Sequence, residues 1–454
     1  MDNNTNTLHN PRTQGGMTDM TVGSPARGIL RFAVPLVLGY ILQQMYQVID
    51  AVIVGRWIGV GALAAVGASS SIMFLIMGFC NGSCAGFAIP VAQAFGAKDF
   101  AKMRSYVSNA VRIGVVLAVV ITLLSCAFCS KILHLVNTPS DIFDDAWTFL
   151  FLQFLAIPFT IAYNLQASLI RALGDSKHPF YFLIFSSLFN IALDAVLIFG
   201  LGMGVLGAGV ATLLAQAFSS ALCYGFIRRK MTVLIPQGDE RAYDNKRISI
   251  LLNNGVPMGM QFSITAVGVI MLQSANNALG TLYVASFTAA VRIKYLFTCV
   301  FENIGAGEIN RVRRGVFDAL RIMLVYFVFT FLLIYPFADE MMRMFVDGSE
   351  QAVVDNAAQF MRIANYFYPL LGVLTILRYS IQGLGYSNLS MLSGVMEMIA
   401  RCGVSLWLVP ALAFTGVCLG DPVAWVAADV FLVPAFWLLY RHLKHTNKLN
   451  TINK

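Results

Sequence analysis

Four polar side chains, Asp50, Asn190, Asp194 and Thr212, stand inside long apolar stretches of the chain. A carboxylate at bilayer depth is costly unless it meets a wet cavity, an ion or a partner, so such residues mark an ion or substrate path. Asn190 and Asp194 are four residues apart, which on a helix puts them on one face. With the Asp50 carboxylate and a hydroxyl they offer hard oxygen donors suited to a hard cation. Two carboxylates brought together in a low dielectric can equally share a proton. Na⁺ and H⁺ are therefore both chemically reasonable occupants. The plainer role is structural, with Asp194 bonding Asn190 and Asp50 capping or pairing at an interface.

The elements that carry these residues follow from composition. Of 454 residues, 58% are hydrophobic and only 12% charged, and mean hydropathy is +0.71; soluble domains are far more polar. A span needs about 20 mostly apolar residues. The sequence predicts twelve of them, at 29–53, 60–90, 104–130, 146–170, 180–200, 205–227, 249–275, 281–300, 316–338, 357–381, 388–414 and 421–440. The expected fold is an all-α polytopic membrane protein. A β-barrel would show shorter segments of alternating polarity. The predicted layout is a disordered tail over 1–27, a six-helix bundle over 28–230, a linker over 231–247, a second six-helix bundle over 248–441 and a tail over 442–454.

Cytoplasmic loops retain Lys and Arg. Basic clusters at Arg27 and Arg31, Lys98, Lys102 and Arg104, Arg171 and Lys177, Arg228 to Lys230, Arg311 to Arg314, and Arg441 to Lys448 all fall on one side of the expected membrane. Both termini are then expected to be cytoplasmic, in the cell membrane. That topology accounts for the net charge of +8 and leaves no basic folded surface for nucleic acid. The eight cysteines lie in or at the edges of apolar runs and read as small hydrophobes, the Cys126-x-x-Cys129 pair lacking partners at metal-ligand spacing. No GxxxxGK[ST] phosphate loop occurs, which excludes ATP drive by this chain. The five histidines are placed in tails and loops, so an enzyme built on them is not expected.

The chain reads as an internal duplication. VPLVLGYILQQ, with Pro35, resembles VPMGMQFSITA, with Pro257, and IPFTIAYNLQASLIRALGDS resembles YPLLGVLTILRYSIQGLGYS, with Pro158 over Pro369 and Gly174 over Gly385. Two six-span copies have the same orientation, hence a pseudo-two-fold axis along the membrane normal, an arrangement common in transporters.

The stretches QQMYQVIDAVIVG, AFGAKDFAKMR, RALGDSKHP, NIALDAVLIFGLGMGVLGAGVAT and QGLGYSN together resemble the multidrug and toxic compound extrusion (MATE) family, within the wider group of oligosaccharidyl-lipid and polysaccharide exporters. The resemblance runs from Arg27 to Arg441. It implies a cation-coupled antiporter in which entry of Na⁺ or H⁺ drives amphipathic, often cationic solutes outward by alternating access, with no other cofactor. It places the coupling site at Asp50, Asn190, Asp194 and Thr212. It also implies bending of the first helix at Pro35, where proline removes a backbone hydrogen bond. Substrate-cleft candidates are Gln43, Gln44, Tyr46, Gln47, Tyr163, Gln166 and Gln261, of which the amides inside a span need a partner or water. A lipid-linked saccharide flippase of the same superfamily is the alternative; it calls for a cationic cleft, whereas the embedded charges of the first half are acidic. A monomer suffices for such a two-bundle transporter.

The second half differs from the first. The repeat positions of Asp50, Asn190 and Asp194 are Leu272, Arg401 and Ser405, so the ion chemistry is not duplicated. Glu397 and Arg401, four apart, are expected to pair, while Arg171 and Arg378 are expected to snorkel to the cytoplasmic surface. The repeat offsets also predict about 13 residues missing between Tyr283 and Gly305. The eighth span, which contains Arg292 and Lys294, is thus expected to be short, and the chain would be a deletion variant with impaired transport.

Overall fold

The computed structural model describes residues 25–53, 60–135, 142–306, 312–343 and 351–445, and every regular element among them is helical. A chain with no water to bond must satisfy its backbone internally, and long apolar runs do so as helices. The first half comprises α1 (Pro25–Ile53), α2 (Val60–Gly96), α3 (Phe100–Leu135), α4 (Phe143–Ala172), α5 (Lys177–Asp194) and α6 (Gly204–Lys230). The second comprises α7 (Asn245–Asn277), α8 (Thr281–Ala306), α9 (Val312–Arg343), α10 (Gln351–Tyr366), α11 (Tyr368–Gly383), α12 (Ser387–Gly403), the short α13 (Val409–Leu412) and α14 (Phe414–Cys418), and α15 (Gly420–His445). Ten helices among the described residues are long and apolar enough to cross a bilayer, the bent pair α10 and α11 forms an eleventh span, and α1 has a shorter described apolar part, Ile29–Met45. The helix α1 itself runs 29 residues and completes a set of twelve.

The tenth and eleventh expected spans depart from simple rods. The tenth is broken, with α10 and α11 meeting at 53°. Pro369 lies in the first turn of α11, where its missing N–H and its restriction of the preceding residue disfavour a continuous helix. Its repeat mate Pro158 sits inside the unbroken α4. The eleventh passes from α12 through a π-helical turn, Val404–Leu408, into α13. The eighth span is not short. α8 has 26 residues against the 37 of α2, but at 1.5 Å per residue it reaches about 39 Å, beyond the hydrocarbon thickness of roughly 30 Å. The helix continues through the polar Glu302–Asn303 step, so the missing residues do not leave a truncated span.

The duplication is visible in backbone conformation. Gly174 and Gly385 adopt φ of 84° and 87°, a region that glycine enters without steric cost, and each ends a helix at the same point of its copy. The fifth helix of each copy also runs into a π-helical turn, Ala195–Gly200 after α5 and Val404–Leu408 after α12.

The described residues form two compact units, one within 34–255 and the other of 25–33 with those within 256–445. The division between them falls inside α7, between Gly255 and Val256. The first unit packs around Phe87, Leu150, Phe154, Ile157 and Ile170. The second packs around Phe301, Phe360, Tyr368, Leu374 and Trp425, with the Phe301 and Tyr368 rings edge to face at 5.4 Å. In the first unit a Cβ on Gly86 would stand 2.6 Å from the Asn254 carbonyl oxygen and from the Gly255 Cα. Those obstacles are backbone, so no rotamer change relieves them. Gly86→Ala is expected to cost about 1–3 kcal/mol, read as an earlier unfolding transition in detergent, whereas Gly96→Ala, with open space around it, should cost little.

The segment 231–247 is tied to α3 by side-chain hydrogen bonds. Arg104 on α3 forks onto Glu240, its Nε and Nη2 donating at 2.6 and 2.5 Å. Arg112 donates to the Arg241 carbonyl, and the Asn109 side chain donates to the Ala242 carbonyl and accepts from the Asp244 N–H. The Arg104 guanidinium, aided by the Gln237 N–H, holds the Glu240 carboxyl at about 2, down from 4.5. A depressed carboxylate contributes its contact above the unfolded value and loses it as pH falls through the folded one. Amide exchange over 231–244 is therefore expected to speed up as pH drops from 4.5 towards 2, after correction for intrinsic rates, and Glu240→Gln should produce the same release at neutral pH. Exchange in this segment unchanged by either treatment would contradict the clasp.

Candidate functional site

Just before α5, the Asp175 Oδ1 accepts from the N–H groups of Lys177 and His178 at 3.0 and 3.2 Å, satisfying the first turn of the helix. Its buried residues are Pro179, Ser186, Asn190 and Asp194, a single stripe with helical spacing in which three of four side chains are polar. The large apolar residues Phe185 and Leu188 point outward. Such an inverted helix gains nothing from the hydrophobic effect on its inner face, so its buried groups serve another purpose. Ser186 donates to the Ala215 carbonyl on α6 at 2.8 Å, fixing the two helices against each other.

Asn190 is 1% exposed and Asp194 fully buried. Neither amide atom of Asn190 has a hydrogen-bond partner among the described residues, an expensive state for a buried amide. The half-buried Thr212 donates its hydroxyl proton to the Ala208 carbonyl at 3.0 Å, which leaves its oxygen lone pairs available to accept or ligate. The donor chemistry fits a hard cation or a proton. Asp50 belongs to α1, but its side chain lies outside the described residues, as do those of Tyr46 and Gln47.

The other sequence-derived residues divide. Pro35 is buried within a continuous α1. Gln43 is exposed, and Gln44 donates to the Tyr40 hydroxyl at 3.1 Å. Tyr163 donates to the Pro179 carbonyl at 3.4 Å, and the Gln166 Oε1 is buried with no partner among the described residues. Gln261 is buried, its Oε1 accepting from both Gln382 and Ser390 at 2.7 Å; its amide is committed inside the second unit.

That unit holds a charge cluster. Arg401 on α12 donates Nη1 to Glu397 at 3.1 Å, and Nε and Nη2 to Asp421 on α15 at 3.2 and 3.1 Å. Lys294 on α8 pairs with Asp421, and Arg378 on α11 pairs with Glu397 while its Nε donates to Ser393 at 3.1 Å. The Glu397–Arg401 pair is as expected. Arg378 does not snorkel: its position facing α12 gives it a carboxylate inside the unit, a better partner than distant headgroups. Arg171 likewise turns back on its own helix, donating to Ser168 at 2.9 Å. The mate of Asp50, Leu272, packs where a Cβ on Gly420 would meet it at 2.3 Å, and Ser405, the mate of Asp194, donates to the Arg401 carbonyl at 2.8 Å.

Lys294, Asp421 and Asp429 are absent from the sequence-derived set. The signal for the aspartates was present, since both are carboxylates in the last apolar run, where the same rule that marks Asp194 applies. Lys294 is hidden because nothing in the sequence ties it to Asp421, 127 positions away.

The MatE family model matches residues 35–196 and again 257–407. The chain belongs to the MatE family. The two matched segments start at the repeat prolines Pro35 and Pro257, and each contains one copy of the duplicated helices. Among curated relatives, the chain is 28% identical over 409 residues to the probable multidrug resistance protein YpnP of Bacillus subtilis, covering 86% of this chain and 88% of that one. It is 26% identical over 448 residues to the probable multidrug resistance protein YoeA of the same organism, covering 93% and 96%. A solved structure described as the outward-facing conformation of a multidrug resistance MATE family transporter superposes with a TM-score of 0.86 at 20% identity, over 95% of this chain and 99% of that one. At that identity the likeness concerns the fold. Membership of MatE makes the chain a multi-pass membrane transporter, and the buried α5 stripe lies within its first matched segment.

Proposed function

We propose that this MatE protein is a secondary active antiporter of the cell membrane that exports amphipathic, often cationic organic compounds in exchange for Na⁺ or H⁺. The observation that carries the reading is the buried polar stripe of α5, with the Asn190 amide lacking a partner among the described residues, on the same helix face as the buried Asp194. In this reading Asp50, Asn190, Asp194 and Thr212 hold the coupling cation, both termini face the cytoplasm, and a monomer carries the full cycle. Loading the Asp194 carboxylate with a cation removes the charge penalty that otherwise opposes its burial. The bound and empty forms then favour different arrangements of the helices, and the cation gradient is converted into outward transport. The multidrug names of the Bacillus relatives support drug-like substrates.

The flippase alternative asks for cations free to meet a pyrophosphate. Lys294, Arg378 and Arg401 each already meet a carboxylate, which favours the antiporter. The test is efflux of a fluorescent cationic dye from proteoliposomes of the native chain. Dye movement that requires an imposed Na⁺ or proton gradient supports the proposal, and dye retention under both gradients by correctly inserted protein overturns it.

A further inference from the structure

Asp429 lies two turns beyond Asp421 on α15, is 7% exposed, and has no hydrogen-bond partner for either carboxylate oxygen among the described residues. The other buried carboxylates of the same cluster are saturated. Glu397 takes Arg378 on one oxygen and Arg401 on the other, and Asp421 takes Lys294 and Arg401. An ionised carboxylate left alone inside a span is among the costliest arrangements available, and in known membrane proteins such groups belong to proton or ion paths. We propose that Asp429 is a proton-exchanging carboxyl of the second unit, a site separate from the α5 stripe.

Charge balance makes both states accessible. The charged groups nearest Asp429 are Arg378 from α11 and Glu397 from α12, and their ion pairs extend to Arg401 on α12 and, through Arg401, to Asp421 and Lys294. Arg378 and Glu397 are the charges that act on Asp429 directly. α14 adds only the thiol of Cys418, the turn Val404–Leu408 adds no ionisable group, and α7 carries no charge beyond Arg247. With Asp429 ionised, three carboxylates balance Lys294, Arg378 and Arg401. With a proton on Asp429 the cluster carries one net positive charge. Neither state strays more than one charge from neutrality, so a proton from water can bind and return to water without breaking the ion pairs.

A metal ion fits this place poorly. Hard cations take about six oxygen ligands, whereas the oxygens of Glu397 and Asp421 already accept from guanidinium or ammonium groups and a cationic Arg378 stands nearby. A proton needs one oxygen. The same unit holds further buried polar atoms without protein partners among the described residues, the Ser380 hydroxyl and Gln382 Oε1 on α11 and the Asn365 amide and Tyr368 hydroxyl at the break between α10 and α11. Groups of this kind are where internal water binds.

The test is infrared difference spectroscopy on the full chain in lipid nanodiscs, stepped in pH without substrate or gradient, so that it reads protonation whether or not the antiport proposal holds. The native protein is expected to show a protonated-carboxyl C=O band that titrates with pH. Asp429→Asn should lose it, and Asp194→Asn should keep it. Asp429→Glu, which retains the acid, should shift the band rather than remove it, and it decides the matter if the asparagine variant fails to fold. A native spectrum with no band that responds to Asp429 substitution overturns the proposal. So does a band erased by adding Na⁺ at constant pH, which would make the site a metal site.

Discussion

Replacing Arg401 with methionine is expected to lower the stability of the protein by about 3–5 kcal/mol, the largest loss from any single substitution considered. Arg401 is 4% exposed and, among the described residues, is the group that bridges Glu397 and Asp421, bonding them with three donors. Without it, among the described residues, Glu397 keeps Arg378 and Asp421 keeps Lys294 as ion-pair partners, and α12 loses the tie of Arg401 to α15. The loss comes from stranding buried charge rather than from the value of the pair itself. Denaturant titration in micelles should therefore show that Arg401→Met combined with Glu397→Gln is less harmful than the sum of the two single changes. Additive effects, or a loss below about 1 kcal/mol for Arg401→Met, would show that the cluster is solvated and not a buried network.

The second large effect concerns activity. Asp194→Asn keeps the shape of a fully buried side chain and removes its charge. Gradient-driven dye efflux should fall by about 100-fold, the scale of a coupling free energy between two ligands, while thermal stability stays the same or rises because a buried charge is gone. Thr212→Ala should be milder, since its hydroxyl is already spent on the Ala208 carbonyl and contributes only lone pairs. Undiminished efflux in Asp194→Asn would remove the α5 stripe from the coupling step.

Much of this architecture is legible in the sequence because the bilayer leaves few choices. Apolar length alone locates the spans, and the repeat of Gly174 at Gly385 foretells matching left-handed turns. The spacing of Asn190 and Asp194 foretells one buried face. What the sequence does not show are features decided by packing. Pro158 and Pro369 align, yet only Pro369 coincides with a break. Arg378 looks like a surface-seeking cation until α12 is seen to present Glu397. The shortened eighth segment reads as a defect when counted against the repeat, but the polar residues that follow its apolar part continue the helix, and Lys294 is neutralised by Asp421, a partner from the last helix. The committed Gln261 amide is a similar case: an amide within a span needs a partner, and the partner is another glutamine, 121 positions away.

Exchange itself is best tested by running it backwards. Proteoliposomes holding the native chain, with no ion gradient and no voltage, would be given a steep gradient of a cationic dye while internal pH and Na⁺ are followed with trapped indicators. If the protein is an antiporter, dye flowing down its gradient must drive H⁺ or Na⁺ uphill in the opposite direction, and Asp194→Asn must abolish that counter-movement. Dye crossing at the native rate with no movement of either cation would contradict the antiport account.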